Sequence, residues 1–147
     1  MRSPPGWCAL STMRRDAKLH HPVMRDDHGP HRAWHLLPRD AWAAAPPDAP
    51  FAAASLADEG FVHLTHLASD LIEVGNAFYR DDPRPYVVLS VDLDRLTIPW
   101  RHDGDARFPH AYGPLDRSAI LAVHVYDRAA DGTFLGIGAP LDRAPLD

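Results

Sequence analysis

Two segments in the second half of the chain alternate side chains with the period of a β-strand. In Tyr86–Leu93, Val87, Leu89, Val91 and Leu93 share one face, and Ser90 and Asp92 the other. In Ser118–Tyr126, Leu121, Val123 and Val125 share a face. Successive strand residues point to opposite sides, so each segment presents an apolar face that something must cover. The best helix in the chain lies just upstream. Leu67, Leu71, Val74 or Gly75, Phe78 and Tyr79 recur at helical spacing. Ser69 or Asp70 is placed to cap its start, with Glu73 three residues after Asp70. The expectation is that Val87, Leu89, Val91, Leu121, Val123 and Val125 pack against the helix bearing Leu71 and Phe78.

The remaining elements set the fold class. Ala33-Trp34-His35-Leu36-Leu37 reads as a strand ended by Pro38, and Pro38 and Asp40 open a short helix through Trp42 and Ala45. Pro46, Pro47 and Pro50 stop it, and Phe51–Glu59 holds a second short helix. Gly60 falls where a turn requires positive φ. Phe61–Thr65 reads as a strand with Phe61, His63 and Thr65 on one side. Asp94–Pro114 reads as one long polar loop, of the kind that is usually functional or mobile. Asp127–Asp147 tapers into coil with one edge strand at Thr133–Leu135. Helices gather early and strands late, which predicts an α+β domain rather than a doubly wound parallel sheet. Neither a GxGxxG nor a Walker motif follows any strand.

A length of 147 residues sets one domain as the expectation. Residues 1–30 carry Pro4-Pro5-Gly6, Arg14-Arg15 and His20-His21-Pro22 with no sustained period. They read as a disordered extension, or as a start placed upstream of Met24. The domain is expected over 31–136, with 137–147 as a C-terminal tail. The formal charge of −5 argues against tight binding to duplex nucleic acid or an anionic membrane, while leaving a nucleotide open as a small ligand. Cys8 is the one cysteine, so neither an internal disulfide nor a thiolate zinc site is available. No run approaches a membrane span and no secretory signal is evident, so the cytoplasm is the expected compartment. Nothing in the sequence points to a protein partner.

Three histidines stand out by position. His35 and His63 sit in strands, and His110 lies in Phe108-Pro109-His110-Ala111-Tyr112-Gly113-Pro114. A histidine among apolar strand neighbours needs partners for two ring nitrogens. Either each is a hydrogen-bonded structural residue, or the three converge on one cleft. Their spacing is too wide and irregular to be diagnostic of a zinc site; a histidine-metal hydrolase is the weaker reading, and no metal is expected. As a ligand pocket, the set would offer imidazoles to hydroxyls or phosphate oxygens. Tyr112 or Trp34 would stack on a ring, and Thr65 and Ser90 would add hydroxyls. His63 and His110 are the expected catalytic acid–base pair; His35, Thr65, Tyr112 and Ser90 are the expected ligand contacts.

The same residues carry a resemblance. Trp34-His35-Leu36-Leu37, Asp40-Ala41-Trp42, Ser55-Leu56-Ala57-Asp58-Glu59-Gly60-Phe61-Val62-His63-Leu64-Thr65, Asn76 with Phe78-Tyr79, the strand Val87–Asp92 and the Phe108–Pro114 signature together resemble the bacterial family catalogued as domain of unknown function 952. The resemblance spans roughly Ala33 to Phe134. It implies a small, split, mainly antiparallel sheet with two or three helices, similar to the ADP-ribosyltransferase fold. It further implies NAD or a related nucleotide as cofactor or substrate, with His35 on ribose hydroxyls and His63 and Thr65 lining a nicotinamide or phosphate pocket. The activity implied is a glycosyl- or phosphotransferase type. Where such transferases carry a glutamate near the last strand, this chain offers His110, Tyr112 and Asp116. That departure favours the alternative of a non-catalytic ligand- or protein-binding module on the same fold.

Overall fold

The computed structural model describes residues 31–141. The expected extension over residues 1–30, and the last six residues of the chain, lie outside them. Among the described residues, seven strands and three α-helices follow in order: β1 Arg32–Pro38, α1 Arg39–Ala44, α2 Ala54–Glu59, β2 Val62–His63, α3 Ala68–Phe78, β3 Tyr86–Asp92, β4 Trp100–His102, β5 Pro109–Ala111, β6 Ile120–Arg128 and β7 Phe134–Pro140. Pro38 opens α1 with φ −61°, the value its ring imposes. Gly60 ends α2 at φ +90°, as a left-handed cap requires, and its N–H reaches the carbonyls of Ser55 and Leu56.

The strands form two antiparallel sheets, β1-β3-β6-β7 and β2-β5-β4. One isolated bridge, Trp34 with Thr65, joins them. The architecture is α+β. The stretch expected as a long loop contains β4 and β5, which pair as Trp100↔Ala111, Arg101↔His110 and His102↔Pro109. These strands are three residues each, too short to show a period, and Pro109 and His110 read as loop chemistry. β7 also runs to Pro140, across the boundary expected after residue 136. Its Gly136, Ala139 and Pro140 disguise a strand as coil.

β3 is buried along its whole length, Tyr86 through Val91. Both of its faces therefore carry a core. Val87, Leu89 and Val91 meet Ala33, Leu37, Phe51, Val62, Leu64 and Leu115. Tyr86 and Val88, on the other face, meet Leu71 of α3 with Tyr126 and Phe134. The helix thus covers the face opposite to the one expected. A strand buried on both sides presents no single polar face by which to orient it. Leu121 departs too: it is 38% exposed. The register jumps from Ser90↔Ala122 to Val91↔Ile120, so Leu121 falls in the irregularity and does not join the face of Val123.

Gly75 lets α3 approach the large sheet. A Cβ there would stand 2.9 Å from Phe134 Cδ2 and 3.0 Å from the Tyr126 hydroxyl. Asn76 fixes the contact by accepting from Phe134 N–H and donating to Phe134 O, at 2.7 and 3.1 Å.

Candidate functional site: a cavity where the sheet splits

At the bridge, Trp34 N–H donates to Thr65 O at 2.7 Å and Thr65 N–H donates to Trp34 O at 3.0 Å. Beyond it β1 continues to Pro38, paired with β3 on one side. Its other edge borders a cavity of about 180 Å³ lined by His35, Leu36, Phe51, His63, Thr65 and Tyr86, among others. Backbone groups in an antiparallel strand alternate between its two edges. Trp34 points its N–H and C=O away from β3, so Leu36, two residues on, points the same pair toward the cavity edge.

His35 is 6% exposed, and its Nδ1–H donates to the carbonyl of His63 at 2.9 Å. Burial pushes its pKa down to about 4, so the ring is neutral at physiological pH. A carbonyl can only accept, so Nδ1 carries the hydrogen and Nε2 is a fixed acceptor on the cavity wall. Thr65 is 1% exposed beside it. Ser55 also lines the cavity, but its hydroxyl donates to Phe61 O at 2.8 Å. Arg84 is held by Asp82, whose carboxylate also accepts from the Tyr86 hydroxyl. The Arg84 guanidinium keeps Asp82 well below the usual carboxylate range. No aspartate or glutamate is among the lining residues.

His63 stands between this cavity and a second group. Its Nε2 lies 3.2 Å from Glu59, four residues earlier at the end of α2. Burial lowers its pKa, and the Glu59 carboxylate works against that. On its other side is His110, ring centroids 5.4 Å apart. Phe61 stacks on His110 at 4.0 Å and 13°. Asp103, from the β4–β5 turn, accepts from the Tyr112 hydroxyl, from Arg101 and from His110. Those donors, Tyr112 first, hold its carboxyl well below the usual range, and Asp103 in turn pushes the Tyr112 phenol up.

The structure therefore brings His35, His63 and Thr65 to one cavity. His110 and Tyr112 touch the same cluster through Phe61 and His63, yet they do not line the cavity. Ser90 is separate. It lies opposite Trp34 and Ala122, on the face of β3 that α3 covers, whereas His35 pairs with Leu89 on the reverse face. Asp116 accepts from the Thr97 hydroxyl at 2.9 Å and does not line the cavity. Among the described residues, no cluster of three or more His, Cys, Asp or Glu side chains is placed to hold a metal ion. Leu36, Phe61, Arg101 and Asp103 escaped sequence reasoning. Leu36 borders the cavity with its backbone, Phe61 heads the strand expected over Phe61–Thr65 but carries no polar group to mark it, and Arg101 and Asp103 belong to a hairpin of strands too short to detect. Glu59 left a signal in the sequence, its i,i+4 spacing to His63.

A split antiparallel sheet with a cavity at the split, lined in part by His35 and His63, defines a small α+β domain. Residues 36–123 match the family described as protein of unknown function DUF952, and the chain belongs to that family. It is also similar to protein CC0527 from Caulobacter crescentus. The crystal structure of that protein is 31% identical, covers 71% of this chain and 93% of its own, and superposes with a TM-score of 0.56. A double mutant of it gives 29% identity and a TM-score of 0.58, and its solution structure 29% and 0.53. No curated protein matches the chain. Among the described residues, no helix is long and apolar enough to cross a membrane.

Proposed function

We propose that the cavity at the sheet split binds the nicotinamide end of NAD or a related nucleoside, making this a nucleotide-utilising, transferase-like domain of the ADP-ribosyltransferase type. The observation that carries the reading is the donor and acceptor pattern of the cavity wall. Leu36 offers an N–H and a C=O side by side on an open strand edge, which complements the C=O and NH2 of a primary carboxamide. His35 adds a neutral Nε2 acceptor, suited to a ribose hydroxyl. Phe51, Tyr79 and Tyr86 supply aromatic surface for a flat ring. Size narrows the fit. A volume of about 180 Å³ is below the ~300–1,000 Å³ of pockets that enclose whole ligands. It takes one ring with its substituent, and leaves the phosphates and the second nucleoside outside.

The non-catalytic alternative keeps one observation in its favour: the cavity wall has no carboxylate. Binding is the shared first step of both readings. NAD at ~100 times its dissociation constant should stabilise the folded protein by about 2.7 kcal/mol, seen as a rise in melting temperature. His35→Ala should remove most of that rise. An unchanged rise in His35→Ala would place the ligand elsewhere, and no rise in the wild-type protein would end the reading.

A further inference from the structure

His66 directly follows Thr65, whose bridge to Trp34 joins the two sheets. Its backbone N–H donates to Arg107 O at 3.0 Å. Its ring is largely buried, with Nδ1 2.7 Å from Arg32 O at the start of β1. A carbonyl only accepts, so Nδ1 carries the hydrogen of the neutral ring and Nε2 presents its lone pair. A second imidazole meets that lone pair. His102 Nε2, at the end of β4, stands 3.0 Å away. His102 is exposed, and Trp100 meets its ring edge-on. Its Nδ1 makes no hydrogen bond among the described residues.

The hydrogen between these two nitrogens occupies a place that a metal ion can take. Two imidazoles on one ion, each at ~2.0–2.1 Å, set their nitrogens about 3.3 Å apart in a tetrahedral site and about 2.9 Å apart at a right angle. The observed 3.0 Å lies inside that span. One tautomer has to change. His102 moves its hydrogen from Nε2 to Nδ1, where it displaces no existing bond. His66 needs no change, and its Nδ1–H on a backbone carbonyl is the arrangement that orients metal-bound histidines. Burial lowers the pKa of His66, which favours the neutral form that ligates.

We propose that His66 and His102 form a two-histidine site for an imidazole-binding divalent cation of the zinc type, which clamps the β4–β5 hairpin to the junction of the two sheets. Imidazole nitrogen suits zinc, copper and nickel, whereas magnesium and calcium prefer oxygen. Two protein ligands leave the remaining positions to water or to a donor from a bound molecule, so the site is open. The ion joins the residue after the sheet bridge to the strand that ends at His102, 36 residues further along the chain. Neither histidine lines the cavity, so the site stands whether or not a nucleotide binds there.

The test uses the full chain, stripped of metal with a chelator and titrated with Zn²⁺, Cu²⁺ and Mg²⁺. Calorimetry gives the affinity, the melting temperature gives the stabilisation, and ¹⁵N ring spectra identify the nitrogens involved. Zn²⁺ should raise the melting temperature and shift Nε2 of both His66 and His102. Cu²⁺ should bind more tightly still, and Mg²⁺ should not bind. His102→Ala, on an exposed strand end, should melt near the parent protein when both are metal-free. It should weaken zinc binding more than about tenfold, since loss of even an outer partner costs about 10–100-fold. Residues 1–30 hold competing histidines, so a variant with His20→Ala, His21→Ala and His28→Ala serves as the control. It should keep the zinc-induced shifts at His66 and His102. Zinc affinity unchanged in His102→Ala, equal binding of Mg²⁺, loss of the two ring shifts in the control variant, or no zinc-dependent shift at either Nε2 would each overturn the inference.

Discussion

Leu89→Ala should cost ~2–5 kcal/mol of folding stability. Leu89 is fully buried, at 0% exposure, at the centre of the four-stranded sheet. It lies opposite His35 on one side and Val123 on the other, in the core that includes Val87, Val91, Leu64 and Phe51. Truncation removes the transfer free energy of three carbons and leaves a void that strands on both sides keep from collapsing. Urea denaturation measures the cost. A loss below ~0.5 kcal/mol, the scale of an ordinary surface change, would place that face of β3 in solvent.

The second large effect is loss of stability in mild acid. The folded-state pKa of His35, about 4, lies below its ordinary 6.5. Between those values the unfolded chain binds a proton that the folded protein refuses, so stability rises with pH across the window. The contribution is complete above ~6.5 and is lost as pH falls toward ~4. One pKa unit is worth ~1.4 kcal/mol, so this residue alone accounts for about 3 kcal/mol. His63 and His66 act in the same direction, since burial lowers both. His66 adds a local reason. Its Nδ1–H donates to Arg32 O at 2.7 Å, and its Nε2 accepts from His102 Nε2–H at 3.0 Å, a role that protonation of His66 ends. Denaturant unfolding at pH ~7 and pH ~4.5 should differ by at least ~2 kcal/mol. His35→Gln, which keeps a donor for the His63 carbonyl, should reduce the difference. Equal stability at the two pH values would show that His35 protonates freely in the folded state.

What the sequence made legible follows the length of each element. β1, β3, β6 and α3 run for seven to eleven residues, long enough for a period to emerge, and each was anticipated near its observed place. β2, at Val62–His63, falls inside the strand expected over Phe61–Thr65, where apolar and polar residues alternate. β4 and β5 have three residues each. Only their pairing makes them strands, and pairing is invisible in one chain. The orientation of α3 was misread because Val87 and Val88 are both apolar. For the site, His35, His63 and Thr65 were recognisable as polar residues in apolar strands. That His110 sits behind His63 depends on the register His63↔His110, which no local pattern encodes. Asp103 stands seven residues from His110, brought back by a hairpin. Ser90 was assigned with His35 because both lie in strands. Odd and even positions of the paired strands separate them onto opposite faces, and only the register reveals that.

The central claim is that the open edge of β1 at the sheet split receives the nicotinamide end of a nucleotide. Titrating NAD, and nicotinamide alone, into ¹⁵N-labelled protein while following the backbone amides tests it most directly. With both compounds, the largest shift changes should fall on Leu36, His35 and Thr65, with the amide of Leu36 moving as it gains a partner. Changes centred on Ser90 and α3, or none at Leu36 while binding is saturated, would contradict the account.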